Sequence, residues 1–149
     1  MNPMEARAAL DGIDDAQRAL ALKATYCPPW RHVAFGTIMA TLILGLGLGS
    51  PWQGLLLLGA MLAVVLLVAD DRRRYGLFVN GYRKGATLPV TLALLGALLA
   101  AMFGEIHARE AGLSLATKFG IAGIAFVIAV AASVVWSRVY RRELLKGDA

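Results

Sequence analysis

The sequence predicts an all-α integral membrane protein, with four transmembrane helices in two antiparallel hairpins and an amphipathic helix before them. Hydrophobic residues make up 58% of the 149 residues, and the mean hydropathy is +0.64. Globular domains contain clearly less apolar sequence than this. The apolar residues also form four uncharged runs close to the roughly 18 residues that cross a bilayer. These runs are 33–49, 51–69, 88–104 and 119–137.

The cationic residues are placed unevenly between these runs. Along the chain, Lys and Arg number four before the first run, none after it, five after the second, two after the third and four at the end. Loops rich in Lys and Arg stay in the cytoplasm. The pattern therefore predicts a multi-pass protein of a bacterial-type inner membrane, with both termini cytoplasmic. Nucleic-acid binding is disfavoured despite the net charge of +5, because no soluble basic module remains.

The residues before the first span predict a cytoplasmic region at 1–31, made of an amphipathic helix and a Pro-Pro-Trp linker, ahead of a membrane domain at 32–149. Asn2, Pro3 and Glu5 have the order that a helix start prefers. The apolar stripe that follows is mostly alanine, which favours docking on the protein's own loops or on a partner over lipid binding. Cys27 is the only cysteine, so an intrachain disulfide is excluded. His32 is a ligand, a pH sensor or an interfacial residue, and the last is preferred.

Small residues recur at every fourth position in the first and third runs. Such rows let a neighbouring backbone approach closely, and threonine hydroxyls in them bond to a neighbour or back to their own helix. We call the two rows the helix-packing seam; it serves either internal packing or a second copy of the chain. The third run is expected to pack centrally, and the Leu-rich second run to face lipid. The seam comprises Thr37, Thr41, Gly45, Gly49, Gly96, Ala100 and Gly104.

The segment 70–87 between the second and third runs is predicted to be a basic cytoplasmic loop. Its cations are expected to contact anionic lipid headgroups or an acidic partner, or only to anchor and orient the chain. Asn80-Gly81 between apolar residues is typical of a two-residue hairpin turn, with an irregular loop as the alternative. The five cations are Arg72, Arg73, Arg74, Arg83 and Lys84.

Two short turns are predicted on the opposite side of the membrane. Gly49 suits the exit of the first helix, and Ser50 and Pro51 suit the start of the second. Gly112 is expected to end the third helix, and Ser114 to cap the fourth.

The third helix is predicted to continue beyond the lipid at its C-terminal end. Glu105 and Arg109 are four residues apart, so the spacing predicts an ion pair exposed to solvent. Glu105, His107 and Glu110 are also candidates for a metal or proton site, but no further ligand converges in the sequence. A solvated helix end is the preferred interpretation.

The sequence lacks the residue patterns of most activities. The four predicted span interiors contain no Asp, Glu, Lys, Arg or His, which disfavours a proton-coupled pump. No nucleotide-binding loop, catalytic triad or zinc signature is present, so neither an enzyme nor a cofactor is expected. The preferred hypothesis is a structural or interaction subunit that binds a membrane-protein partner or a second copy. The alternative is an oligomeric transporter or pore lined by Thr37, Thr41, Thr91 and Ser133.

Overall fold

The computed structural model of the chain describes Gly12, residues 27–75 and residues 86–145. In these ranges it contains four long helices: α1 (Pro29–Leu48), α2 (Trp52–Tyr75), α3 (Leu88–Glu110) and α4 (Leu115–Leu145). Each is long and apolar enough to cross a membrane, which confirms the four predicted spans. Apart from Gly12, the predicted N-terminal amphipathic helix lies outside the described residues, as does the predicted hairpin at Asn80-Gly81.

The helices extend beyond the uncharged runs. Helix α1 begins at Pro29, with Pro28 as its N-cap, and α2 continues through the charged residues to Tyr75. Proline fits the first turn because its missing N–H would have no intrahelical acceptor there. Long cationic side chains at a helix end reach the headgroups while the backbone stays helical. Hydropathy therefore underestimated the length of each helix.

Helix α1 is the centre of the bundle. It packs against each of the other three helices, whereas α3 packs against α1 and α4, and α2 packs chiefly against α1. The prediction that the third helix packs centrally is therefore wrong. The physical reason is that α1 has glycines on opposite faces. A Cβ at Gly36 would lie 3.1 Å from the Phe126 ring of α4, and one at Gly45 would lie 3.3 Å from Leu56 of α2.

The bundle has two short turns at one end, which we call the turn end: 49–51 joins α1 to α2, and 111–114 joins α3 to α4. Helix α3 ends at Glu110, and Gly112 follows it with a φ of +64°, as predicted for the residue that terminates the helix. The amide of Gly112 donates to the Arg109 carbonyl, and that of Leu113 donates to the Ala108 carbonyl. These two bonds satisfy two of the last carbonyls of α3. The Ser114 hydroxyl accepts a bond of 3.3 Å from the Thr117 amide, so it caps α4 as predicted.

Polar contacts join the helices at the opposite end, which we call the loop end. The Arg31 guanidinium of α1 forms an ion pair with Asp71 of α2. His32 lies at this end, where its Nδ1 is 2.8 Å from the Ser133 hydroxyl of α4. Arg31 thus links α1 to α2, and the next residue, His32, links α1 to α4.

Candidate functional site

Glu105 of α3 is a completely buried acidic residue near the turn end. Its relative exposure is 0%, and neither carboxylate oxygen has a hydrogen-bond partner among the described residues. The prediction of a solvated helix end is wrong at this position. Helix α3 runs without a break to Glu110, and the face that carries Glu105 also carries buried Ala108 and turns toward the bundle.

Gly47 of α1 provides the space that the Glu105 carboxylate occupies. A Cβ at Gly47 would lie 2.9 Å from Cδ of Glu105 and 3.6 Å from its Oε1. Any larger residue at Gly47 would require the carboxylate to move. The carboxylate is therefore packed directly against the backbone of α1.

Arg109 does not pair with Glu105, although the two residues are one turn apart. Its Nη1 donates to the Leu46 carbonyl at 3.1 Å and to the Gln53 Oε1 at 3.5 Å. The last carbonyls of a helix have no intrahelical donor and carry the negative end of the helix dipole. The guanidinium therefore caps the C-terminus of α1, and this contact replaces the predicted solvent ion pair.

The turn-end site consists of Glu105, Arg109, Gly47, Gln53 and Lys118. Lys118, in the first turn of α4, lies within electrostatic range of the Glu105 carboxylate. Of these, Gly47 of α1 packs against the Glu105 carboxylate and Lys118 of α4 acts on it electrostatically, whereas Gln53 of α2 accepts a hydrogen bond from Arg109. An ionised carboxylate taken out of water without a partner costs several kcal/mol. The arrangement therefore favours binding of a positive charge at Glu105.

A metal ion does not fit this site. Glu105 is buried, whereas His107 and Glu110 are exposed. Across residues 27–75 and 86–145, no three His, Cys, Asp or Glu side chains converge to hold a metal ion. The three residues proposed from sequence as a metal site are therefore not brought together.

The first row of the helix-packing seam meets different surroundings along its length. The Thr37 and Thr41 hydroxyls donate to the carbonyls of Val33 and Thr37, at 2.9 and 2.8 Å. Both bonds lie within α1, which is one of the two options that the sequence left open. Gly45 packs against α2. Gly49 has a φ of +71°, and a Cβ there would lie 3.4 Å from Cδ of Arg109.

The second row of the seam, on α3, is only partly in contact with the described bundle. Gly96 and Ala100 are exposed, and nothing lies within 4 Å of the position of a Cβ at Gly96. Gly104 is the one member of this row near another described helix, since a Cβ there would lie 3.9 Å from Ile121 of α4. The structure therefore does not bring the two rows together.

The basic residues proposed to contact lipid or a partner are described only in part. Arg72 and Arg73 are exposed in the last turns of α2, and Arg74 lies beside them in the helix. Arg83 and Lys84 lie outside the described residues. Three exposed arginines of α4 lie at the same end of the bundle: Arg138, Arg141 and Arg142.

Sequence reasoning missed both the burial of Glu105 and the role of Gly47. A signal was present for Gly47: the run 44–49 alternates leucine with glycine, so glycines face more than one side of the helix. No local signal pointed to the burial of Glu105, because its neighbours in sequence are typical of a helix end.

The helices and their apolar surfaces define the class of the protein: it is a multi-pass membrane protein with four helices able to span the bilayer, in contact with lipid. Comparisons of the chain with protein-family models, with curated proteins and with solved structures find no match. A function must therefore be inferred from the arrangement of the residues in this chain.

Proposed function

We propose that this protein is a structural or interaction subunit of a membrane assembly, and that it binds a second membrane helix through the outward face of α3. The observation that carries the proposal is that Gly96 and Ala100, two small residues four apart, are both exposed on α3, with no described neighbour near a Cβ at Gly96. In lipid, helices associate where small residues let their backbones approach closely. A face of this kind favours contact with another helix over contact with lipid, because flexible acyl chains pack equally well against small and large residues.

The proposal is tested with Gly96→Leu in the full-length protein, reconstituted in lipid. Gly96 is exposed, and nothing lies within 4 Å of a Cβ there, so the fold is expected to persist in this variant while close approach of a partner is blocked. Gly59→Leu on α2 is the matched control, because Gly59 is also exposed and has nothing within 4 Å. Crosslinking followed by mass spectrometry reads out association. We expect wild type and Gly59→Leu to give the same crosslinked species, and Gly96→Leu to lose it. A monomeric wild type without a reproducible neighbour would refute the proposal.

We further infer that the loop end faces the cytoplasm of a bacterial-type inner membrane. Arg72, Arg73 and the three arginines of α4 lie at this end, whereas Arg109 and Lys118 lie at the turn end. Clustered cations are retained on the cytoplasmic side and are attracted to anionic headgroups. A fluorescent protein fused to the C-terminus should therefore fluoresce in cells, and an alkaline phosphatase fusion at the same place should be inactive. The reverse result would overturn this orientation.

A second candidate function is an oligomeric transporter for a small solute. One observation favours it: a buried carboxylate lies within a helix that can span the membrane, and such groups commonly handle ions or protons. The hydroxyls first considered as a lining are bonded nearby, as with Ser133 to His32 and Thr91 to the Thr87 carbonyl. A flux assay in proteoliposomes that compares wild type with Glu105→Gln tests this candidate. Flux lost in the variant would support it, and no flux in either protein would count against it.

A further inference from the structure

Packing alone does not explain why a carboxylate is buried at Glu105. It is fully buried, its two oxygens have no hydrogen-bond partner among the described residues, and it lies between helices able to span a membrane. Charge in such a place is costly unless a partner neutralises it. The ligand of this site must therefore be a cation.

The space around Glu105 restricts which cation can bind. The backbone of α1 at Gly47 lies so near that a single Cβ there would approach Cδ to 2.9 Å. A hydrated ion or an organic ammonium group would need the helices to separate, whereas a proton needs no added volume. The lack of a converging set of metal ligands in the described ranges points the same way.

The charged residues near the site do not neutralise the Glu105 carboxylate. Arg109 of α3 donates its hydrogen bonds to the Leu46 carbonyl and to Gln53. Lys118 of α4 acts on Glu105 only at a distance, because no ion pair joins Lys118 to Glu105 among the described residues. The residue of α1 that packs against the carboxylate is the uncharged Gly47. The buried oxygens are thus left with a bound proton as their neutralising partner.

We propose that Glu105 is a proton-binding site of the membrane domain, which holds a proton from water at the turn end while α1 and α3 are packed together. The chemistry is a single O–H bond, formed with a proton from water and broken by returning it. Arg109, one turn further along α3, is exposed, so the path from Glu105 to water is short. The site is independent of the interaction face on α3, and neither proposal depends on the other.

The test uses infrared spectroscopy on the full chain in lipid vesicles. The sequence has four glutamates, at 5, 105, 110 and 143. Glu5→Gln, Glu110→Gln and Glu143→Gln together leave Glu105 as the sole glutamate, and side-chain ¹³C-labelled glutamate then reports on it alone. A second chain that keeps only Glu110, which is exposed, is the matched control. Because Glu105 itself is unchanged in the first chain, the measurement does not depend on a variant at the site folding.

At pH 7 we expect the Glu105 chain to show the carbonyl band of a protonated acid and the Glu110 chain to show carboxylate bands. The Glu105 band should convert to carboxylate when the folded bundle is disrupted at pH 7. Carboxylate bands from Glu105 at pH 7 in the folded protein would overturn the proposal. Conversion of the Glu105 band to carboxylate near the ordinary glutamate value of about 4.3 in the folded protein would overturn it as well.

Discussion

The contact between Gly47 and Glu105 makes a sharp prediction about stability. Gly47→Ala places a methyl group 2.9 Å from Cδ of Glu105, closer than atoms of this kind pack, so the carboxylate or α1 must shift. Overpacking of this type costs about 1–3 kcal/mol. Replacing glycine by alanine within a helix contributes about 1 kcal/mol in the opposite direction. The net loss in the free energy of unfolding is therefore expected to be about 0–2 kcal/mol.

A matched control separates the steric term from helix propensity. Gly59→Ala in α2 makes the same chemical change where nothing lies within 4 Å. It should stabilise the protein or leave it unchanged, because only the propensity term of about 1 kcal/mol applies. The two variants should therefore differ by about 1–3 kcal/mol, the size of the overpacking cost. Equilibrium unfolding in mixed detergent micelles measures both on one scale.

A double-mutant cycle assigns the loss to Glu105. In the Glu105→Ala background the carboxylate is gone, so Gly47→Ala should lose its penalty and show a coupling of about 1 kcal/mol or more. If Gly47→Ala is as benign as Gly59→Ala, or if its penalty is the same with and without the Glu105 side chain, the packing of this acid against α1 is refuted.

Three further predictions follow from the polar contacts. Arg109→Gln should lower the free energy of unfolding by about 1 kcal/mol, because the charged cap on the Leu46 carbonyl is lost, and Arg109→Lys should recover part of it; unfolding in micelles measures both. The Arg31 and Asp71 pair should show a coupling of about 0.5–1 kcal/mol in a double-mutant cycle, weakened by salt; zero coupling would show that it contributes nothing. Burial raises the pKa of the Cys27 thiol, while Arg31 lowers it and Asp71 raises it. Less thiolate is then present at pH 7, so iodoacetamide should react more slowly with the folded than with the unfolded chain, and Arg31→Gln should slow it further. Equal rates in the three samples would contradict this.

The sequence alone was sufficient for the number of spans and for most of their ends. A span is recognised by its length and apolar content, and these are properties of one segment, independent of its neighbours. The turns at Gly112 and Ser114 were predicted for the same reason, since a glycine at positive φ and a serine cap act within a few residues of chain. The early start of α1 at Pro29 was not predicted, because hydropathy does not detect a helix that continues into the interface.

The faces on which the helices meet were decided by the tertiary structure. The row Gly96, Ala100 and Gly104 indicates from sequence that another helix could pack closely there. In the structure, however, the rotation of α3 about its axis leaves Gly96 and Ala100 exposed. That rotation results from the sum of contacts along α1, α3 and α4, and no short stretch of sequence contains that sum.

Glu105 shows the same difference between what the sequence predicts and what tertiary packing decides. Its spacing from Arg109 predicted a local ion pair, and spacing is all that the sequence provides. In the folded chain the Leu46 carbonyl, 63 residues away, binds the guanidinium, and Gly47 leaves the space that the carboxylate fills. The sequence by itself thus determined that four apolar helices form and where they turn. Only tertiary packing determined that one acid is enclosed among them, because enclosure requires atoms from distant segments to occupy the same small volume.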